Sequence, residues 1–148
     1  PVKSGAHGRG VDCSNFTSFC YNYGLGLKLP TAIGKQADMT RVDEVAAERL
    51  SLLPSRPGAP TPYGLLRKAL EPGDLLFIRN AAGTRVSHVV MWVGLLATGS
   101  HDPLVIDSHG QGVEDSRGAV IPAGVQLRPF REGSWYHASF DHALRLIR

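Results

Sequence analysis

The chain has 148 residues, 43% of them hydrophobic and 20% charged, which is the composition of a globular protein with room for one substantial core. Its formal net charge is +3 and its 16 Lys and Arg are scattered without a basic run, which argues against nucleic-acid binding while remaining compatible with an acidic polymer as partner. No apolar stretch reaches the length of a membrane span, and Pro1-Val2-Lys3 does not begin a secretory leader; a start without Met points to a processed product or an excised domain.

In chain order, residues 1–11 read as an extended, glycine-rich lead. From Ser14 to about Tyr23, Phe16, Phe19, Cys20 and Tyr23 recur at helical spacing and predict a helix with one buried face. Asp12 or Cys13 caps its start, and Gly24 and Gly26 stop it. Residues 32–50 read as a second helix, with Val42, Val45, Ala46, Arg49 and Leu50 on one side. The prolines at 57, 60 and 62 mark a loop, and Tyr63–Leu70 a short helix. After Pro72-Gly73, strands dominate. They are expected at Asp74–Arg79, Ser87–Leu96 and Leu104–His109, with a hairpin turn at Asn80–Gly83. Val113 and Gly118–Gln126 suggest further short strands or turns, and Trp135–Phe140 and Leu144–Ile147 closing strands. Helices first and strands later indicate an α+β fold with an antiparallel sheet, in a single domain over residues 1–148.

Two cysteines occur, Cys13 and Cys20. Seven residues apart on one helix, they would be separated by about 10 Å along its axis, beyond disulfide reach. Cys20 falls on the apolar stripe and suits a core position. Cys13, flanked by Asp12, Ser14 and Asn15, stands at a helix start, where unpaired N–H groups and the helix dipole favour thiolate and can hold an oxyanion. His88 opens a strand, Ser87-His88-Val89-Val90-Met91-Trp92-Val93, apolar on both faces and hence buried. It reads either as a core histidine or as a general base for Cys13. In Val105-Ile106-Asp107-Ser108-His109-Gly110, Asp107 and His109 share one strand face, and either could orient His88. Cys13, His88, Asp107 and His109 are also conceivable zinc ligands, but no signature spacing for a metal is present, and no metal or other cofactor is assigned. His7, His101, His137 and His142 are expected at the surface.

Asp12-Cys13-Ser14, Leu29-Pro30 followed by Gln36, Pro72-Gly73-Asp74-Leu75, Ser87-His88-Val89 and Val105-Ile106-Asp107-Ser108 stand in the order found in NlpC/P60 cysteine peptidases. The ending, Trp135-Tyr136 through Ala143-Leu144-Arg145, also resembles that family's final strand. The resemblance spans nearly the whole chain. It implies a papain-like α+β core, N-terminal helices on an antiparallel sheet, and a cysteine endopeptidase or amidase acting on peptidoglycan stem peptides, often next to D-γ-glutamyl. Carried over by position, Cys13 is the nucleophile, His88 the base and Asp107 the third residue, with His109 the runner-up. Asp12 and Ser14 match positions that bind a substrate amine in some members, and Ser87 joins them as a substrate-binding residue. The resemblance further implies a monomer secreted, periplasmic or in the cell envelope. Asn15 stands where the family more often has Gly, Thr31 replaces a frequent Arg, and the aromatic segment that often precedes the cysteine is missing or truncated before Pro1. Alternatives are thiol chemistry on a non-wall amide, acyl transfer, or an inactive wall-binding domain.

Overall fold

A computed structural model describes residues 12–96, 101–110, 118–120 and 122–147. Helix α1 spans Cys13–Leu25. Its N-cap is Asp12, whose carboxylate accepts the Asn15 N–H at 2.8 Å, and it ends at Gly26 in the left-handed region, φ 69°. The helix is where the sequence places it, but its buried face is rotated. Ser14, Phe16, Thr17, Ser18 and Tyr21 point inward, while Phe19 and Tyr23 are exposed and stack on each other at 5.6 Å. The reason is polar. Thr17 donates to Gln36 Oε1 at 2.8 Å and Ser18 to the Leu29 carbonyl at 2.9 Å, so these hydroxyl side chains take inward positions beside Phe16 and Tyr21, and Phe19 and Tyr23 are left outside.

The helix expected over 32–50 is mostly absent. Helix α2, Ile33–Ala37, is followed by a hairpin of β1, Arg41–Val42, and β2, Val45–Ala46, and then by β3, Glu48–Arg49. Val42 pairs with Val45 across a two-residue turn, with Asp43 in the left-handed region at φ 51°. The apolar spacing that mimicked a helix comes from a chain that folds back at Asp43-Glu44. Helix α3, Tyr63–Ala69, matches its expectation.

Strands β4, Leu75–Arg79, β5, Val86–Gly94, β6, Leu104–His109, β7, Gly124–Pro129, and β8, Phe140–Arg145, build the main sheet. Its order is β3-β8-β4-β5-β6-β7, with antiparallel pairing throughout. Trp135–Phe140 is not a strand. Trp135–Ala138 forms helix α4, because Ser134 caps it by accepting the His137 N–H, and only from Phe140 does the chain rejoin the sheet. Val113 lies outside the described residues.

The sheet is buried on both faces. Leu75, Phe77, Val89 and Leu144 join one apolar cluster with Tyr21, Leu29 and Ala37, on the side of α1 and α2. Leu76, Ile78, Val90 and Val105 join another with Leu66, Phe130 and Tyr136, on the side of α3 and α4. That sandwich explains why β4 and the centre of β5 read as continuous apolar runs. His137 and His142, expected at the surface, are buried. His137 accepts from the Gly133 N–H and donates to the Thr61 carbonyl at 2.6 Å, while His142 stacks on Phe77 at 4.8 Å and meets the Ala37 carbonyl at 2.8 Å. Their polar ring edges are satisfied, so burial is tolerated.

The short motifs act as joints. Gly73 turns at φ 95° just before β4, and a Cβ there would meet Ile147 Cδ1 at 2.8 Å. Its carbonyl accepts the Tyr21 hydroxyl at 2.5 Å, tying the turn to α1. Next to it, buried Asp74 takes a two-pronged contact from Arg145 at 2.8 and 2.6 Å, joining the start of β4 to the end of β8.

Candidate active site

Cys13 is the first residue of α1 and is half-buried. Two side chains fix that turn through three hydrogen bonds. Gln36, fully buried on α2, donates to the Ser14 and Pro30 carbonyls at 3.1 and 2.9 Å, and the Ser14 hydroxyl donates to the Thr31 carbonyl at 2.6 Å. The backbone N–H groups of Val89 and Ser14 reach the Cys13 sulfur. The thiol therefore lies near the backbone immediately after His88. The sequence expectation of a favoured thiolate is not met. Burial pushes the thiol pKa up, and the nearby Asp12 and Asp107 carboxylates add to this beyond what the two N–H groups offset.

His88 sits beside an irregularity in β5. Ile78 pairs with His88 but Arg79 with Val86, so Ser87 is an extra residue on the β5 side of that pair. Such a bulge re-aims neighbouring side chains. His88 is buried, with its ring 4.2 Å from that of His109 and 5.8 Å from that of Trp135. Its Nε2 lies 2.7 Å from Asp107 Oδ2. Burial lowers the His88 pKa more than the Asp107 contact raises it.

Asp107 is the hub. Fully buried on β6, it takes contacts at Oδ2 from His88 Nε2, from His109 Nε2 at 2.8 Å and from the Tyr136 hydroxyl at 2.5 Å. Its Oδ1 accepts Arg128 Nε at 2.6 Å. Burial alone would raise its pKa, but the His109 and His88 hydrogen bonds outweigh that and hold the carboxyl well below the usual carboxylate range. Burial and the Asp107 charge push the Tyr136 hydroxyl far up, so it stays a donor.

Asp12, Cys13, Ser87, His88 and His109 line a single cleft of about 510 Å³, completed on the other side by Asn80, Gly133 and Trp135. Asp12 is the only Asp, Glu, Lys or Arg side chain among the described residues that line it. Ser14 is buried beneath the turn and does not line the cleft. Asp107 lies behind His88 and not in the cleft wall. His88, Asp107 and His109 are close enough in space to be considered as a metal set. However, both imidazole Nε2 atoms are engaged with the carboxylate, and Arg128 brings a fixed positive charge to the same group.

The sequence reading missed Arg128, Tyr136 and Trp135. Arg128 had a usable signal. The β6–β7 register pairs Val105 with Arg128, which puts Arg128 on the same sheet face as Asp107, two residues along. Tyr136 and Trp135 were hidden by the expectation of a strand where α4 forms.

A search of curated proteins found no match. The model of the NlpC/P60 family matches residues 3–141, nearly the whole chain, and with the α+β architecture described above this places the protein in the NlpC/P60 family, whose members are typically cysteine-type peptidases and amidases of the cell wall.

Proposed function

We propose that the protein is a cysteine endopeptidase that hydrolyses amide bonds in peptidoglycan stem peptides, next to D-γ-glutamyl, through an acyl-enzyme. The observation that carries the reading is that Cys13 and His88 line one cleft while His88 Nε2 is anchored on buried Asp107. With Nε2 engaged, Nδ1 is the nitrogen of His88 that handles the proton. Cys13 Sγ attacks the scissile carbonyl as its proton passes to His88. The tetrahedral oxyanion is met by backbone N–H groups at the start of α1, that of Cys13 among them. Collapse breaks the C–N bond, and His88 returns its proton to the leaving amine. Water, deprotonated by His88, then releases the acid and restores the thiol.

Asp107 keeps the imidazole oriented and offsets the charge that forms on it. Asp12, the one Asp, Glu, Lys or Arg side chain on the cleft among the described residues, favours a positively charged or neutral peptide segment, and Ser87 also lines the cleft with a hydroxyl. Ser14 supports Asp12 from below: its hydroxyl is 3.4 Å from Asp12 Oδ1 as well as bonded to Thr31. The protein acts as a monomeric catalytic domain at the cell envelope or outside the cell.

The test is mass spectrometry of defined muropeptides after digestion, with Cys13→Ala as control. Cleavage at one amide by the wild type and none by a folded Cys13→Ala protein is the expected result. Equal cleavage by both would overturn the assignment of Cys13, and no cleavage of any stem peptide by the wild type would overturn the substrate.

A further inference from the structure

Asp107 Oδ2 faces two imidazoles at nearly equal range, His88 at 2.7 Å and His109 at 2.8 Å, and their rings stack at 24°. The carboxylate can serve His88 only if it does not turn. Its other oxygen is gripped by Arg128 Nε at 2.6 Å, and the same guanidinium donates from its second arm to the Pro122 carbonyl at 2.7 Å. Arg128 is buried, and a buried guanidinium bonded at two points has little freedom to follow a rotating carboxylate.

We propose that Arg128 is a positioning residue for the thiol chemistry: by fixing Oδ1 of Asp107 it keeps Oδ2 turned toward His88 Nε2. This rests on the assignment of His88 as the base.

The charge of Arg128 has a second consequence. The titratable and charged groups facing His88 among the described residues are Cys13 from α1, Asp107 and His109 from β6, Arg128 from β7 and Tyr136 from α4. Among the described residues Asp107 is the one carboxylate in direct contact with His88, and the Arg128 guanidinium opposes part of its pull. An imidazolium at His88 is favoured by the carboxylate, and the guanidinium opposes its formation. Removing the guanidinium while leaving the carboxylate makes the imidazolium easier to form, so the pH at which His88 titrates moves up.

The experiment uses Arg128→Met and Arg128→Lys, with His88→Asn as reference. Two readouts are taken: kcat and KM on a cleaved muropeptide, and the rate of iodoacetamide alkylation of Cys13 against pH, which needs no substrate. Arg128→Met is expected to lower kcat by about tenfold or more, with KM within about twofold, and to move the imidazole limb of the alkylation profile to higher pH. Arg128→Lys, which keeps the charge but cannot bond at both points, should return the limb to its wild-type position and recover kcat only in part. An unmoved limb in Arg128→Met overturns the proposal, as does full kcat in Arg128→Lys. If Arg128→Met fails to fold, Arg128→Lys decides alone: a wild-type limb with kcat about tenfold down supports the proposal and any other outcome overturns it. A wild type inactive on muropeptides with a limb that still moves refutes the substrate and not the positioning. A limb present unchanged in His88→Asn refutes the base, and the positioning role with it.

Discussion

Gln36→Leu removes the joint that sets the first turn of α1. The side chain is fully buried, and Leu nearly fills its volume, so the change is chiefly one of hydrogen bonds. Three are lost, to Ser14 O at 3.1 Å, to Pro30 O at 2.9 Å and from Thr17 Oγ1 at 2.8 Å. They are not equal. Thr17 keeps the Ser14 carbonyl at 3.1 Å as acceptor, and Ser14 O keeps Thr17 as donor. Pro30 O loses its Gln36 donor. The half-buried Pro30 carbonyl left without this donor costs at the lower end of roughly 1–3 kcal/mol and each of the other two bonds about 0.5–1.5 kcal/mol, so the loss is about 3 kcal/mol. For a chain of this size that is roughly a 6–12 °C drop in Tm. The same turn carries Cys13, so kcat should fall by about tenfold even at a temperature where the variant is folded. Urea unfolding and muropeptide turnover at 15 °C read both effects, with Thr17→Val, which strips the buried Gln36 Oε1 of its donor but keeps the Gln36 bonds to Ser14 and Pro30, as a comparison expected to lose about 1–3 kcal/mol. A Gln36→Leu protein within 1 kcal/mol of wild type would refute the hydrogen-bond reasoning, and a destabilised one with wild-type kcat would refute the link to Cys13.

Three further outcomes are expected. Gly73→Ala places a Cβ at φ 95° and 2.8 Å from Ile147 Cδ1, and should lower stability by about 1–3 kcal/mol in urea unfolding, whereas an unchanged midpoint would show that the turn relaxes freely. Stability should fall on acidification in two stages. His88 has a lowered folded pKa, so the unfolded chain binds the extra proton first, and stability declines as pH drops below ~6.5. Asp107 also has a lowered folded pKa, so its contribution, complete at neutral pH, drains away below ~4. His88→Asn should flatten the first stage only, and an unaltered slope between pH 5 and 6.5 would contradict it. Finally, Cys20, raised by burial, should be alkylated only with an alkaline limb, and Cys20→Ala should lower Tm more than kcat; a neutral-pH limb at Cys20 would count against the distinction.

How far the sequence carried the fold depended on whether local pattern and tertiary contact agreed. For β4 and β5 they did, because a strand buried on both faces must be apolar throughout, and Leu75-Leu76-Phe77-Ile78 has no other reading. For α1 they agreed on the helix and parted on its phase, since hydrophobicity assigned Phe19 inward while the tight contact with Gln36 and Leu29 demanded Thr17 and Ser18. In residues 38–49 a tight turn at Asp43-Glu44 produced apolar spacing indistinguishable from a helix. The site divided the same way. Cys13, His88 and the Asp107/His109 face are local features, a helix start and two strand positions. The choice between Asp107 and His109 was not local: both contact one another, and His88 meets the carboxylate because Arg128 and Tyr136, from two later elements, converge on it. His137 and His142 were misplaced because their partners, the Thr61 and Ala37 carbonyls, are 76 and 105 residues away in the chain.

The two pKa directions at the site bear on how the thiol is activated. A preformed thiolate–imidazolium pair needs a low thiol pKa and a high imidazole pKa. Here burial moves the thiol up and the imidazole down. Both shifts favour neutral Cys13 and neutral His88 at rest, so the proton must move as the C–S bond forms, with His88 acting as a general base in the transition state. The contacts are consistent with that demand. Asp107 Oδ2 on Nε2 steadies the imidazolium only once it exists, while the N–H groups of Val89 and Ser14 meet sulfur as it gains charge. Acylation of Cys13, isolated as the burst with an activated ester, should therefore be slower in D₂O than in H₂O at the plateau of the pH profile. An attack by a preformed thiolate involves no proton in flight and would show no slowing. A rate equal or faster in D₂O would refute the neutral resting pair and restore the ion pair that the position of Cys13 at a helix start first implied.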